Sequence, residues 1–133
     1  MSPRKAKYKP KPFESIGGSS DTSANIYHSM LTHPAFMALK TRQKVLYLYC
    51  KAQYYGKRKP GKDFPDVKAL QSEDCFYMNL SLAVSYGLYT RNGNKEFYAD
   101  MKELCEAGFL EMVANGKNTQ SCSIYRFSEK WSL

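Results

Sequence analysis

Long apolar runs are missing from this chain. Nowhere in its 133 residues does one approach the roughly 20 residues that a membrane-crossing helix needs. The basic N-terminus has no apolar core behind it, so it does not read as a secretory signal. A C-x-x-C pair is missing too. The four cysteines, Cys50, Cys75, Cys105 and Cys122, are widely spaced, which removes the basis for a zinc ribbon or a thioredoxin-like redox site. His28 and His33 are the only histidines, at a spacing that does not stack two ligands on one helix face. There is no Gly-rich phosphate loop, no Ser/His/Asp or Cys/His set, and no carboxylate pair in a catalytic frame. No catalytic residue, metal or cofactor is therefore expected. The chain reads as a non-enzymatic, cytoplasmic protein with reduced, mostly buried thiols.

Acidic residues are the other shortage. Twelve Asp and Glu face twenty Lys and Arg, for a net charge of +8 and a pI near 9.3. Such an excess on a small domain calls for a polyanionic partner, either nucleic acid or an anionic membrane. The first twenty residues hold Arg4, Lys5, Lys7, Lys9 and Lys11 against Glu14 alone, half of the net excess. "MSPRKAKYKPKPFESIGGSSDTS" is rich in Pro, Lys, Gly and Ser and has no period. A flexible basic arm is expected over residues 1–22, open between a solubilising tail and a nucleic-acid-binding arm. Neither a lipidation motif nor an amphipathic helix accompanies it, which argues against a membrane partner. A second basic cluster, Lys51 with Lys57, Arg58, Lys59 and Lys62, surrounds the loop "KRKPGKDFP".

Apolar residues are present in sufficient number. They make up 43% of the chain, with eleven Tyr and seven Phe, enough for one domain over residues 23–133. Ile26, Tyr27, Met30 and Leu31 form one face of a short helix, and Pro34 opens another turn carrying Phe36 and Leu39. Thr41 offers an N-cap to "RQKVLYLYCKAQYYG", whose spacing places Val45, Leu48, Tyr49 and Ala52 on the buried face, with Gly56 as the stop. No Glu stands at position 44, so a reciprocal capping box is not expected. Tyr47, Tyr54 and Tyr55 exceed what one face buries and are available for a homodimer contact. "DVKALQSEDCFYMN" is ambiguous, with Phe76 to Met78 a short strand or extended entry. Asn79 caps "LSLAVSY", where Leu80, Ala83 and Val84 share a face and Gly87 ends the helix. A final helix runs from about Lys95 to Ala107, burying Phe97, Met101 and Leu104. Gly108 closes it in the left-handed conformation. Phe109 to Val113 and Ser121 to Phe127 then form a hairpin around Asn115-Gly116.

Three helices followed by a hairpin give a mainly α chain with a small β-hairpin (α+β), in the order of a winged helix-turn-helix. The segments "MLTHPAFMALKTRQKVLYLYCKAQYYGKR", "FYMNLSLAVSYGLYTRNGNKEFYADMKELCEAGFLEMV" and "NGKNTQSCSIYRFSEKW" resemble a family. They look like small winged-helix proteins of plasmids, prophages and integrative conjugative elements of Firmicutes, some described as replication-initiator-like. The resemblance covers Ser23 to Trp131. It implies a protein that binds double-stranded DNA in replication or transcription regulation, located in the bacterial cytoplasm and associated with nucleoid or plasmid. Replication or conjugation proteins are further partners it implies.

On that resemblance the helix from Lys95 is the recognition helix, with Lys95, Tyr98 and Lys102 outward and Glu96, Ala99 and Asp100 nearby. Asn92 or Asn94, whichever caps the helix, together with Arg91, would meet the DNA at its start. Lys117, Asn118, Thr119 and Gln120 form the wing tip. Arg4, Lys5, Lys7, Lys9 and Lys11 of the arm and Lys57, Arg58 and Lys59 of the loop add backbone contacts. From Phe76 to Phe127, however, five cations (Arg91, Lys95, Lys102, Lys117, Arg126) meet five acids (Glu96, Asp100, Glu103, Glu106, Glu111). That balance supports a rival reading, a winged-helix protein-interaction module whose basic arm binds nucleic acid nonspecifically.

Overall fold

The computed structural model describes residues 9–17, 21, 23–53, 75–114 and 124–133. Elements follow in the order α1 (His28–Leu31), α2 (Pro34–Met37), α3 (Thr41–Gln53), β1 (Cys75–Tyr77), α4 (Leu80–Ser85), α5 (Asn94–Glu106), β2 (Leu110–Ala114), β3 (Ile124–Phe127) and a 3-10 turn, Lys130–Ser132. The result is a mixed helix and sheet fold. Its antiparallel sheet has the strand order β1-β3-β2, so the third strand in the chain is the central one. Cys75 pairs with Arg126 on one side of β3, and Glu111 pairs with Arg126 on the other. The stretch that spacing leaves between strand and extended entry is therefore a strand, Cys75–Tyr77, and it widens the hairpin into a three-stranded sheet. The Asn115-Gly116 turn, Tyr54, Tyr55, Gly56 and Cys122 lie outside the described residues. Among the described residues no helix is long and apolar enough to cross a membrane.

Helix ends follow local chemistry. Pro34 starts α2, and His33 Nδ1 accepts the Ala35 N–H at 3.1 Å. Asn79 Oδ1 accepts the Leu82 N–H at 2.8 Å, capping α4. Asn79→Ala should therefore cost about 1 kcal/mol in a urea titration, whereas a loss below a few tenths would mean that the cap is dispensable. Two glycines end helices with positive φ, Gly87 at 80° and Gly108 at 88°. At each, the residue after Gly donates its N–H back across the last turn (Leu88 to Ala83, Phe109 to Leu104), the Schellman pattern.

The N-terminus of α3 departs from the expected cap. Lys40, not Thr41, holds the capping position: its carbonyl accepts from Lys44, and its N–H donates to Gln43 Oε1 at 3.0 Å. Gln43 thus supplies the reaching-back half of a capping box, one residue before position 44.

The buried face of α3 also differs. Gln43, Leu46, Tyr47 and Cys50 are buried, whereas Leu48 is 39% exposed and Ala52 is exposed. Val45 and Tyr49 are half-buried, Tyr49 stacking on Tyr86 at 4.2 Å. Two stripes at helical spacing lie on nearly opposite faces of this helix. The one that wins carries a buried glutamine, because that glutamine finds partners on another helix. Burial of Tyr47 removes it from any dimer contact.

The α1 region departs too. Only Met30 is buried, while Tyr27 and Leu31 are exposed. Tyr27 sits in extended backbone (φ −79°, ψ 155°) before a single-turn helix, so a helical period does not reach it.

The core is largely aromatic. Phe36, Tyr47 and Phe109 meet edge-to-face at 5.5 to 6.4 Å, the arrangement that ring quadrupoles favour. Trp131 stacks on Phe109 at 5.7 Å and meets His33 edge-on at 5.1 Å. Phe97, Met101 and Leu104 enter this core from α5, as their spacing predicts.

Candidate nucleic-acid interface

The helix α5 carries most of the predicted contacts, and its burial pattern sorts them. With Phe97, Met101 and Leu104 buried, Lys95, Ala99, Lys102 and Glu106 form the central exposed stripe, with Asn94 and Tyr98 on one flank and Glu96 on the other. Tyr98 is 53% exposed, its ring resting edge-on against Phe97 at 5.0 Å. Neither predicted asparagine caps the helix. Gly93 holds the N-cap position without a side-chain hydrogen bond, Asn94 is the first helical residue, and Asn92 is exposed ahead of it. A Cβ at position 93 would come within 3.0 Å of the Thr90 carbonyl and 3.3 Å of Tyr89 Cβ, so the tightness of the turn selects glycine there.

Asp100, expected near the outward side, is buried, 3% exposed. Its carboxylate accepts from Tyr89 Oη at 2.5 Å, Arg42 Nε at 2.7 Å and Gln43 Nε2 at 3.1 Å. Burial pushes its pKa up, but the hydrogen bonds from Tyr89, Gln43 and Arg42 outweigh that and leave it below the ordinary aspartate value. The same burial, with the Asp100 contact, pushes the Tyr89 hydroxyl up. Gln43 Nε2 also donates to Glu103, and Lys40 Nζ lies 3.9 Å from the Glu103 carboxylate. Two of the five acids in the Phe76–Phe127 stretch thus face α3 rather than the outward stripe. A third, Glu111, pairs with Arg126 at 3.1 Å across the sheet.

No family model, curated protein or solved structure matches the chain. What remains on the outward side at the start of α5 is Arg91, Asn92, Asn94, Lys95 and Tyr98, opposed by Glu96 alone. Arg91 also lines a hollow of about 330 Å³ with Leu80, Ser81 and Val84 of α4. Lys102 lies 3.9 Å from Glu106, both side chains largely exposed. An exposed pair of this kind contributes little, so it does not withhold Lys102 from a phosphate.

The predicted wing-tip residues Lys117, Asn118, Thr119 and Gln120 lie outside the described residues, as do Arg4, Lys5, Lys7, Lys57, Arg58 and Lys59. Lys9 and Lys11 are exposed. Lys11 begins a closed turn in which its N–H donates to Glu14 Oε1 and its carbonyl accepts the Glu14 N–H, both at 2.8 Å. A second hollow, about 930 Å³, lies where Met30, Tyr47, Phe127 and Trp131 meet, and none of the predicted site residues lines it. Cys50 and Cys75 are buried, and Cys105 is half-buried. Burial pushes Cys50 and Cys105 up, the state of unreactive thiols.

Proposed function

We propose that this protein binds double-stranded DNA as a winged helix-turn-helix, with α5 as reading helix and the β2–β3 hairpin as wing. It would serve replication or transcription of a bacterial mobile element. The observation that carries the reading is the sorting of α5: Lys95, Tyr98 and Lys102 outward, Asp100 and Glu103 turned to α3. An outward lysine can meet guanine or phosphate, and the exposed Ala99 between the two lysines fits a thymine methyl. The element order supports the same reading. A short helix, α4, precedes α5 and can brace on the DNA backbone while α5 enters the major groove. The net charge of +8 supplies sequence-independent attraction to phosphate. The segments Met30 to Arg58, Phe76 to Val113 and Asn115 to Trp131 resemble small winged-helix proteins of such elements.

One observation favours a second reading. Lys95 and Lys102 are balanced on the outward side by Glu96 and Glu106, with Lys102 and Glu106 only 3.9 Å apart. A neutral face suits a protein partner, with the basic arm holding nucleic acid nonspecifically.

Binding of the full chain and of a chain starting at Ser23, titrated against salt on several duplexes, separates the two. DNA reading by α5 predicts a sequence preference that survives loss of the arm. Lys95→Ala with Lys102→Ala should then erase it, each base contact being worth roughly 1–3 kcal/mol of discrimination. If deleting the arm abolishes all binding and no preference is found, the DNA-reading proposal fails and the interaction module takes its place.

A further inference from the structure

We infer that Arg42 is a DNA-phosphate contact, held in place for that role by Asp100. This rests on the proposed reading of α5 as a groove-binding helix and adds a residue from a different element to its interface.

Arg42 lies in the first turn of α3. Its side chain is 43% exposed, while the Asp100 side chain that it contacts is 4% exposed. Its Nε donates to Asp100 Oδ2 at 2.7 Å, and the guanidinium also lies against the Tyr89 hydroxyl. An arginine that serves only to neutralise a carboxylate commonly uses two parallel N–H groups. Here the other demands of Asp100 are met by Tyr89 and Gln43, and the guanidinium stays single-toothed. Among the described residues its terminal nitrogens donate to no carboxylate or carbonyl.

The guanidinium plane is fixed by a second contact. Its central carbon sits 4.8 Å over the Tyr89 ring, and Tyr89 is itself buried with its hydroxyl on Asp100. Arg42 is thus tied to both the turn before α5 and the middle of α5, while 43% of its side chain stays exposed. Glu96 and Asp100, one turn apart, mark the flank of α5 beside which it stands. A helix lying in the major groove has a phosphate backbone along each flank. A pre-oriented arginine fork on that flank matches a phosphate, and little side-chain freedom remains to be lost on binding.

The test is the salt dependence of binding by the full chain to a mixed-sequence duplex, read for wild type, Arg42→Ala and Lys95→Ala. For every phosphate that the protein no longer neutralises, the slope of log Kobs against log salt falls by about 0.9. Arg42→Ala should lower it by that amount, and weaken binding equally on all sequences. Arg42→Gln keeps a donor for Asp100 and most of the stem without the charge; it should give the same drop, and it carries the test if Arg42→Ala does not fold. An unchanged slope in a folded Arg42 variant, beside a reduced slope in Lys95→Ala, overturns the Arg42 assignment and leaves the reading of α5 standing. If wild type shows no salt-dependent duplex binding, or neither Lys95→Ala nor the Arg42 variants change it, the reading of α5 is lost and this inference with it.

Discussion

Gly108→Val is expected to cost the fold about 4 kcal/mol, from left-handed backbone strain plus a steric clash. Gly108 has φ 88°, which a β-branched residue adopts only at a penalty. A Cβ there would also meet the Trp131 backbone nitrogen at 2.6 Å and the Lys130 carbonyl carbon at 2.9 Å. Backbone cannot swing aside as a side chain can. The close approach is itself bonded, since the Trp131 N–H donates to the Gly108 carbonyl at 3.1 Å and the Ser128 N–H to the Phe109 carbonyl at 3.0 Å. Gly87 provides the control. Its φ is 80°, yet nothing stands within 4 Å of a Cβ built there, so Gly87→Ala should cost only about 1 kcal/mol. Urea unfolding of the two variants should show a much earlier midpoint for Gly108→Val at an unchanged slope. Equal losses at both glycines would mean that strain alone matters and that the packing of the C-terminal turn does not.

Asp100→Ala should destabilise by roughly 3 kcal/mol, because it strands several donors at once. Tyr89 and Gln43 are buried and cannot turn to water for a replacement partner. Arg42 is half exposed and can, which keeps the loss at the lower end for a broken ion pair. Asp100→Asn preserves shape and isolates the charge. The folded carboxyl lies below its unfolded value of 3.8. Its contribution is therefore fully present above that value and is lost as pH falls through the folded pKa. The advantage of wild type over Asp100→Asn should be constant near neutrality and should shrink only as pH drops below about 4. An advantage that instead vanished between about pH 7 and 5 would mean that the titrating group is not Asp100.

Local signals in the sequence are enough for Asn79 as a cap, for Phe97, Met101 and Leu104 as a buried stripe, and for Gly108 as a helix stop. Each of those depends on neighbours within a turn or two. The face of α3 does not. Its two candidate stripes are comparably apolar, and the choice is made by Asp100, 57 residues from Gln43 and 58 from Arg42. Asp100 is hard to place for the reciprocal reason. An aspartate between an alanine and a methionine reads as solvent-facing until three donors on other elements are seen around it. The spacing itself holds a clue, since Asp100 falls beside Leu104, four residues on, at the edge of the buried stripe. Gly93 is masked as a cap because two asparagines, better cap formers by type, stand on either side of it.

The sheet order has a consequence for how the chain reaches this state. β3 is third along the chain but lies between the other two, so neither β1 nor β2 has a ladder partner until β3 has been made. Cys75 must wait for Arg126 across the whole α4–α5 pair, a long loop to close and a slow step in folding. Until then two strand edges stand open in the nascent chain, the condition in which strands pair with the wrong neighbour. The residues that end this exposure, Ile124 to Phe127, belong to the same strand that anchors the hairpin beside α5. Closure of the sheet and anchoring of the proposed wing beside α5 thus fall at a single step.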